Sequence, residues 1–132
     1  MIKILSADEV VGNWGRIEPH LVRVLAQFDY GSDPEHILLD AVNGRREIWQ
    51  IADYDAIAVT EICTLPKFSV LDISLVCGDN MDTWLEPLLD QLTQYAKASG
   101  CRYIDGFGRK GWTRKLEKYG FKPYSYDVRL KV

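Results

Sequence analysis

Three β-rich runs follow one another almost without interruption: "REIWQIAD", "AIAVTEICTL" and "SVLDISLVC". Only Asp53-Tyr54-Asp55 and Pro66-Lys67 separate them. Connections this short cannot hold the crossover of a dozen or more residues that joins parallel neighbours. Residues 45–77 are therefore expected to form a three-stranded antiparallel meander. A chain with that centre cannot be all-helical, and its remaining segments must supply the cover.

Those segments carry helical signals. Ile2 to Leu5 is a short apolar strand, and Ser6-Ala-Asp-Glu9 has capping-box spacing. Gly12, Gly15 and Pro19 predict that this first helix is short and yields to a second. In the second, Leu21, Val24, Leu25 and Phe28 form one stripe. Ser32-Asp-Pro-Glu35 is another capping box, launching "EHILLDAV", which Asn43-Gly44 ends. After the meander, "TWLEPLLDQLTQYAKASG" reads as a helix opened by Thr83 with Glu86. It carries Leu85, Leu88, Leu89, Leu92, Tyr95 and Ala96 on one side, and Gly100 closes it. "CRYIDGF" is a strand and "KGWTRKLEKY" a basic helix closed by Gly120. "YSYDVRLKV" is a last strand, with Tyr124, Tyr126, Val128, Leu130 and Val132 on its core face. Trp112, Leu116 and Tyr119 share one side of the basic helix, so the indole is expected to pack rather than bind.

Composition narrows the class. The chain has 132 residues, 47% hydrophobic and 27% charged, which suits one soluble domain over 1–132. No apolar run approaches the roughly 20 residues of a membrane span. The opening "MIKILSADEV" lacks the apolar core of a signal peptide, and Cys63, Cys77 and Cys101 have no pairing pattern. We therefore expect reduced thiols and a cytoplasmic protein. His20 and His36 stand at no metal-ligand spacing, so no metal is expected. Charge is segregated. Residues 102–132 hold nine cations against three acids, and the first 101 hold seven against sixteen. This either steers an anionic partner to one end or lets the halves attract each other.

The order of elements, with "RKLEKYGFKP" near its end, resembles the GCN5-related N-acetyltransferase (GNAT) family over nearly the whole chain. Glu117, Lys118, Gly120 and Phe121 match the family's "LYEKLGF" ending. "REIWQIAD", "AVTEI", "AKASGC" and "GRKGW" are similar to short GNAT-like proteins of phages and prophages. The resemblance implies an α/β (α+β) fold, a GNAT-like mixed sheet in which the antiparallel meander is followed by helix-strand-helix-strand. It also implies an acyl-CoA co-substrate such as acetyl-CoA. In the family, backbone amides after the third meander strand and a glycine loop at the next helix hold the cofactor. The matching positions here are Val76, Gly78 and Asn80, and Arg109 and Lys110 open the following basic helix. Gly106 and Gly108 are expected to let the chain turn into that helix. Cations at a helix start suit a bound anion, or they complement the acidic half.

Departures from the pattern matter too. "NMDTWL", residues 80–85, has no glycine, carries Asp82 beside Asp79, and offers Trp84 and Leu85 where backbone should approach phosphate. The family's tyrosine acid is replaced by Leu116, and Tyr124 or Tyr126 is a substitute only if it leaves the core face. Glu61 lies among Ile57, Val59, Cys63 and Leu65 on one strand face. It is either a general base with a raised pKa or one half of a buried ion pair, with an Arg as its partner. Asp72 shares alternation with Ser74 and Val76 and is expected to face solvent. Cys63 and Cys77 read as packing residues. Two functions follow: an N-acyltransferase of phage or prophage origin with a degenerate pyrophosphate loop, or a GNAT-fold binding protein without catalysis. The second would act in phage particle assembly, within the virion, or on the host, with a protein partner. Nucleic acid is a weaker partner, because net acidity opposes phosphate neutralisation.

Overall fold

A computed structural model describes residues 1–106 and 110–132. Five strands, β1 (Ile2–Ile4), β2 (Glu47–Ile51), β3 (Ala56–Thr64), β4 (Ser69–Gly78) and β5 (Cys101–Gly106), form one sheet in the order β1-β2-β3-β4-β5. The first three pairings are antiparallel, and β4 pairs with β5 in parallel. The meander is thus as expected, and the parallel step is made through the helix α4 (Met81–Ala98).

Helices cover both faces. On one lies α4, whose Trp84, Leu85, Leu88, Leu89, Leu92 and Ala96 bury against Trp49, Ile51, Ala58, Leu71 and Ile73. On the other lie α1 (Ala7–Gly12), α2 (Trp14–Leu25) and α3 (Pro34–Val42). Val10, Ile17, Leu21 and Ile37 from these helices meet Ile48, Ile57, Val59, Leu75 and Cys77. The helix α5 (Lys110–Glu117) adds buried Leu116 and half-buried Trp112 to the α4 side. The indole therefore packs as expected, whereas Tyr119 is exposed.

Several local expectations change. The break between the first helices falls at Asn13, and Pro19 lies inside α2. Phe28 lies beyond α2 and is exposed. The α3 cap is Asp33 rather than Ser32, and its amide donates to His36 Nδ1 at 2.9 Å. The helix α4 begins two residues before Thr83, at Met81. Its cap Asn80 is left-handed (φ 61°), and Thr83 Oγ1 donates back to Asn80 O at 2.7 Å. Gly106 sits against Leu116, Trp112 and Ile73 with ordinary clearance and without a left-handed backbone, while Gly108 lies outside the described residues.

The largest correction concerns the C-terminal segment. Residues 121–132 belong to no strand. Tyr126, Val128, Leu130 and Val132, assigned to a core face, are exposed. Alternation specifies which side a strand would bury, but it supplies no neighbour to pair with.

Between β2 and β3, Ala52, Asp53 and Tyr54 all have left-handed backbones (φ 50°, 53° and 69°). Three such residues in a row are costly without glycine and need outside support. The helix α2 provides it. Arg16 Nη2 donates to Asp53 O at 2.9 Å and stacks over the Tyr54 ring at 4.3 Å, and His20 Nε2 lies 2.8 Å from Tyr54 O.

Candidate functional site

Among the described residues, β4 pairs with β5 in parallel from Ser69↔Cys101 to Ile73↔Gly106. Against β3, β4 continues to Gly78. From Ser74 to Gly78 it has, among the described residues, a strand neighbour on one side only. Alternate backbone groups there point away from β3, and among the described residues no strand takes them. Val76 and Gly78, expected at a cofactor site, lie on this stretch.

A bulge shapes this stretch. Val59 pairs with Leu75 and Thr60 with Ile73, so Ser74 has no opposite residue. The extra residue reverses the phase of β4. Leu71 and Ile73 face α4, whereas Leu75 and Cys77 face α1–α3. Asp72 and Val76 are consequently on opposite faces, contrary to simple alternation.

The same register aligns three carboxylates. Glu61 on β3 is opposite Asp72 on β4, which is opposite Asp105 on β5. All three lie one residue from the last described pairing of β4 with β5, Ile73↔Gly106, on the face of Val59. Asp72, expected to face solvent, is instead half-buried and accepts a hydrogen bond from Ser74 Oγ at 3.1 Å. Burial pushes its carboxyl above the usual range, the neighbouring Asp105 and Glu61 push the same way, and Ser74 and Arg46 oppose. Glu61 has a side chain 38% exposed, with Arg46 Nε at 3.8 Å. Arg46 is nearer Asp40, at 3.1 Å, and its buried Nε makes no aligned hydrogen bond. The expected ion pair of Glu61 is therefore loose and shared.

Tyr124 reaches this row from the C-terminal segment. It is exposed rather than on a core face, and its hydroxyl donates to Asp105 Oδ2 at 3.0 Å. That bond raises the phenol's pKa. The thiols are poor nucleophiles here: burial pushes Cys77 up to about 12 and raises Cys63 as well.

Beyond Gly78, the N-terminus of α4 follows directly on β4. Asn80 caps it without a side-chain bond. Trp84 turns into the core, and its Nε1 donates to Asp79 O at 2.6 Å. Asp79 and Asp82 are exposed, and Lys115 Nζ from α5 stands 3.5 Å from Asp82 Oδ1. Lys115 was not singled out in the sequence, because its reach across to α4 depends on how two distant helices dock. Arg109 lies outside the described residues, and Lys110 starts α5. Among the described residues no group of His, Cys, Asp and Glu is arranged to hold a metal ion. No helix is long and apolar enough to cross a membrane among those residues.

The raised carboxyl of Asp72 has a measurable consequence. A group raised on folding stabilises fully below its unfolded pKa and loses that contribution as pH rises through the folded one. Asp72→Asn should therefore raise the denaturant midpoint at about pH 7 and leave it nearly unchanged below about pH 4. Equal shifts at both pH values would mean that Asp72 is not desolvated.

No known family profile and no curated protein sequence matches this chain. Solved structures do. A "probable acetyltransferase" superposes with a TM-score of 0.79 at 11% identity, covering 100% of this chain and 97% of that one. The ribosomal-protein-alanine N-acetyltransferase of Brucella melitensis gives 0.71 at 13%, covering 100% and 99%. A predicted acetyltransferase of Clostridium acetobutylicum, solved with acetyl-CoA, gives 0.70 at 15%, covering 99% and 95%. At these identities the likeness concerns backbone architecture. The chain has the GNAT fold.

Proposed function

We propose that this protein is a GNAT-like N-acyltransferase that takes its acyl group from an acyl-CoA such as acetyl-CoA. The observation that carries the reading is the stretch Ser74–Gly78 of β4, which among the described residues pairs with β3 alone, next to an in-register row of acids. An acyl thioester laid along Ser74–Gly78 would have its carbonyl within reach of a β4 amide, at Val76 or Gly78. The row Glu61, Asp72 and Asp105 attracts a cationic amine. Asp72, with its raised carboxyl, is suited to accept the amine's proton as the N–C bond forms, and Glu61 opposite it is the other candidate base. Tyr124, beside the row, is the candidate that protonates the leaving thiolate. A phage or prophage origin, with activity in the host cytoplasm, rests on the "REIWQIAD" and "GRKGW" motifs.

Pyrophosphate would be held poorly. The α4 N-terminus suits an anion, yet Asp79 and Asp82 flank it, and no glycine lies between Gly78 and α4. With both acids exposed, solvent screens them, so each weakens binding by well under about 1 kcal/mol. Calorimetric titration with acetyl-CoA should give micromolar or weaker affinity, and Asp79→Asn with Asp82→Asn should tighten it about two- to fivefold. Sub-micromolar binding by the unaltered chain would overturn the degenerate-loop reading. No binding by either form would overturn the acyltransferase. The second reading, a GNAT-fold binding protein without catalysis in particle assembly or host interaction, would then stand. The bond from Trp84 to Asp79 favours it, since it closes the loop with side chain where a phosphate would need backbone.

A further inference from the structure

Along β4 the proposed chemistry falls at two separate places. The amide of Val76 or Gly78 would receive the thioester carbonyl, whereas Asp72 would end with the amine's proton. At about 3.3–3.4 Å per residue, Val76 lies roughly 10–13 Å along the strand from Asp72, the bulge included. The short aspartate side chain does not span that interval. A proton leaving the amine therefore needs a polar group in between. The intervening residues are Ile73, Ser74 and Leu75, and of their side chains only the Ser74 hydroxyl both accepts and donates.

Ser74 is placed for that task. It is the bulge residue, so no residue of β3 stands directly opposite it. Its Oγ donates to Asp72 Oδ2 at 3.1 Å. That bond uses the hydroxyl's one proton and leaves its lone pairs to accept another. The side chain is half-buried rather than sealed in the core. It also begins the stretch Ser74–Gly78 that, among the described residues, pairs with β3 alone.

We propose that Ser74 is a catalytic residue that relays the amine's proton to Asp72, an inference that rests on the acyltransferase reading. The amine attacks as its free base. As the N–C bond forms, its proton passes to Ser74 Oγ while the hydroxyl's own proton passes to Asp72 Oδ2. The C–S bond breaks, and the thiolate takes the proton of Tyr124. Asp72 is then protonated and Tyr124 ionised, and solvent carries the proton from one to the other. Nothing is consumed beyond the amine and the thioester. The surroundings of Asp72 suit the end of such a relay. Glu61 and Cys63 stand near it on β3, Asp105 on β5, and Tyr124 on the C-terminal segment. Burial first, then Asp105 and Glu61, hold its carboxyl up, so it keeps a proton readily. The Ser74 bond and Arg46, which Asp40 of α3 holds, oppose them.

Acetyl transfer by the full chain from acetyl-CoA to the probe amines n-butylamine and cadaverine tests this. Ser74→Ala is expected to lower kcat roughly a hundredfold, with calorimetric affinity for acetyl-CoA and the melting temperature unchanged. The variant removes a donor that favours ionised Asp72, so the acid limb of the kcat/KM profile should move to higher pH. Ser74→Thr keeps the hydroxyl and should restore most of the rate. Added to Asp72→Asn, Ser74→Ala should cost nothing further, because a relay without its final acceptor carries no proton. A parental kcat in Ser74→Ala overturns the relay alone. So does a loss that threonine fails to rescue, or one that adds in full to the loss from Asp72→Asn. No transfer to either amine by the unaltered chain overturns the acyltransferase reading and the relay with it.

Discussion

Gly78→Ala is expected to cost about 3–6 kcal/mol, enough to unfold much of the protein. Gly78 has φ +137°, a conformation that side chains rarely adopt. A Cβ there would stand 2.3 Å from Ala56 Cβ, 2.4 Å from Ala56 Cα and 2.7 Å from Asp55 O. Ala56 is its ladder partner, and Asp55 closes the left-handed turn that Arg16 and His20 hold in place. None of these atoms can swing aside as a flexible side chain would. Gly120→Ala is the matched control. It also has a positive φ, +92°, but a Cβ there meets nothing within 4 Å, so the cost should be about 1–2 kcal/mol. Thermal melts of both variants decide it. A Gly78→Ala protein that melts like Gly120→Ala would show that β3 and β4 do not approach this closely. The glycine expected at a cofactor site is thus accounted for first by strand packing.

Trp84→Ala should be nearly as damaging, at about 3–5 kcal/mol, because the indole is buried to 4% exposure among Leu85, Leu88 and the sheet. Trp84→Phe separates packing from polarity. It keeps most of the ring and removes the Nε1 donor to Asp79 O, whose loop can turn to water, so about 1 kcal/mol is expected. The phenylalanine variant should also alter acetyl-CoA affinity, since it frees the loop ahead of α4. Alanine melting like the parent chain would remove Trp84 from the core. Phenylalanine with unchanged stability and unchanged affinity would show that the bond to Asp79 holds nothing.

Periodicity carried the sequence reading far where structure is local. The meander follows from run length and connection length, which leave no alternative pairing partner nearby. The α4 stripe is a 3.6-residue repeat, and its buried members match it closely. Phe121, following Gly120, is half-buried against the α4-side core, as the "KYGF" ending suggests. Errors arose where one residue upsets the count. Ser74 is such a residue: the bulge reverses the strand after Ile73, and alternation drawn through it put Asp72 in solvent. At α4 the cap signal of Thr83 and Glu86 lost to Asn80, because a left-handed backbone turned the chain earlier than side-chain capping could.

Glu61 was legible as a carboxylate on an apolar face. Its neighbours were not. Glu61, Asp72 and Asp105 lie 11 and 33 residues apart, and nothing in their spacing relates them. Register between β3, β4 and β5 makes them one row, and register depends on turns and packing across the whole sheet. Tyr124 joins that row only because its segment stays off the sheet. The sequence by itself determined the elements and the side each presents, since both are properties of neighbouring residues. Tertiary structure decided which sides meet, where β4 bulges, and that among the described residues the last alternating run pairs with no strand. Those outcomes depend on contacts between residues far apart, whose energies local pattern does not contain.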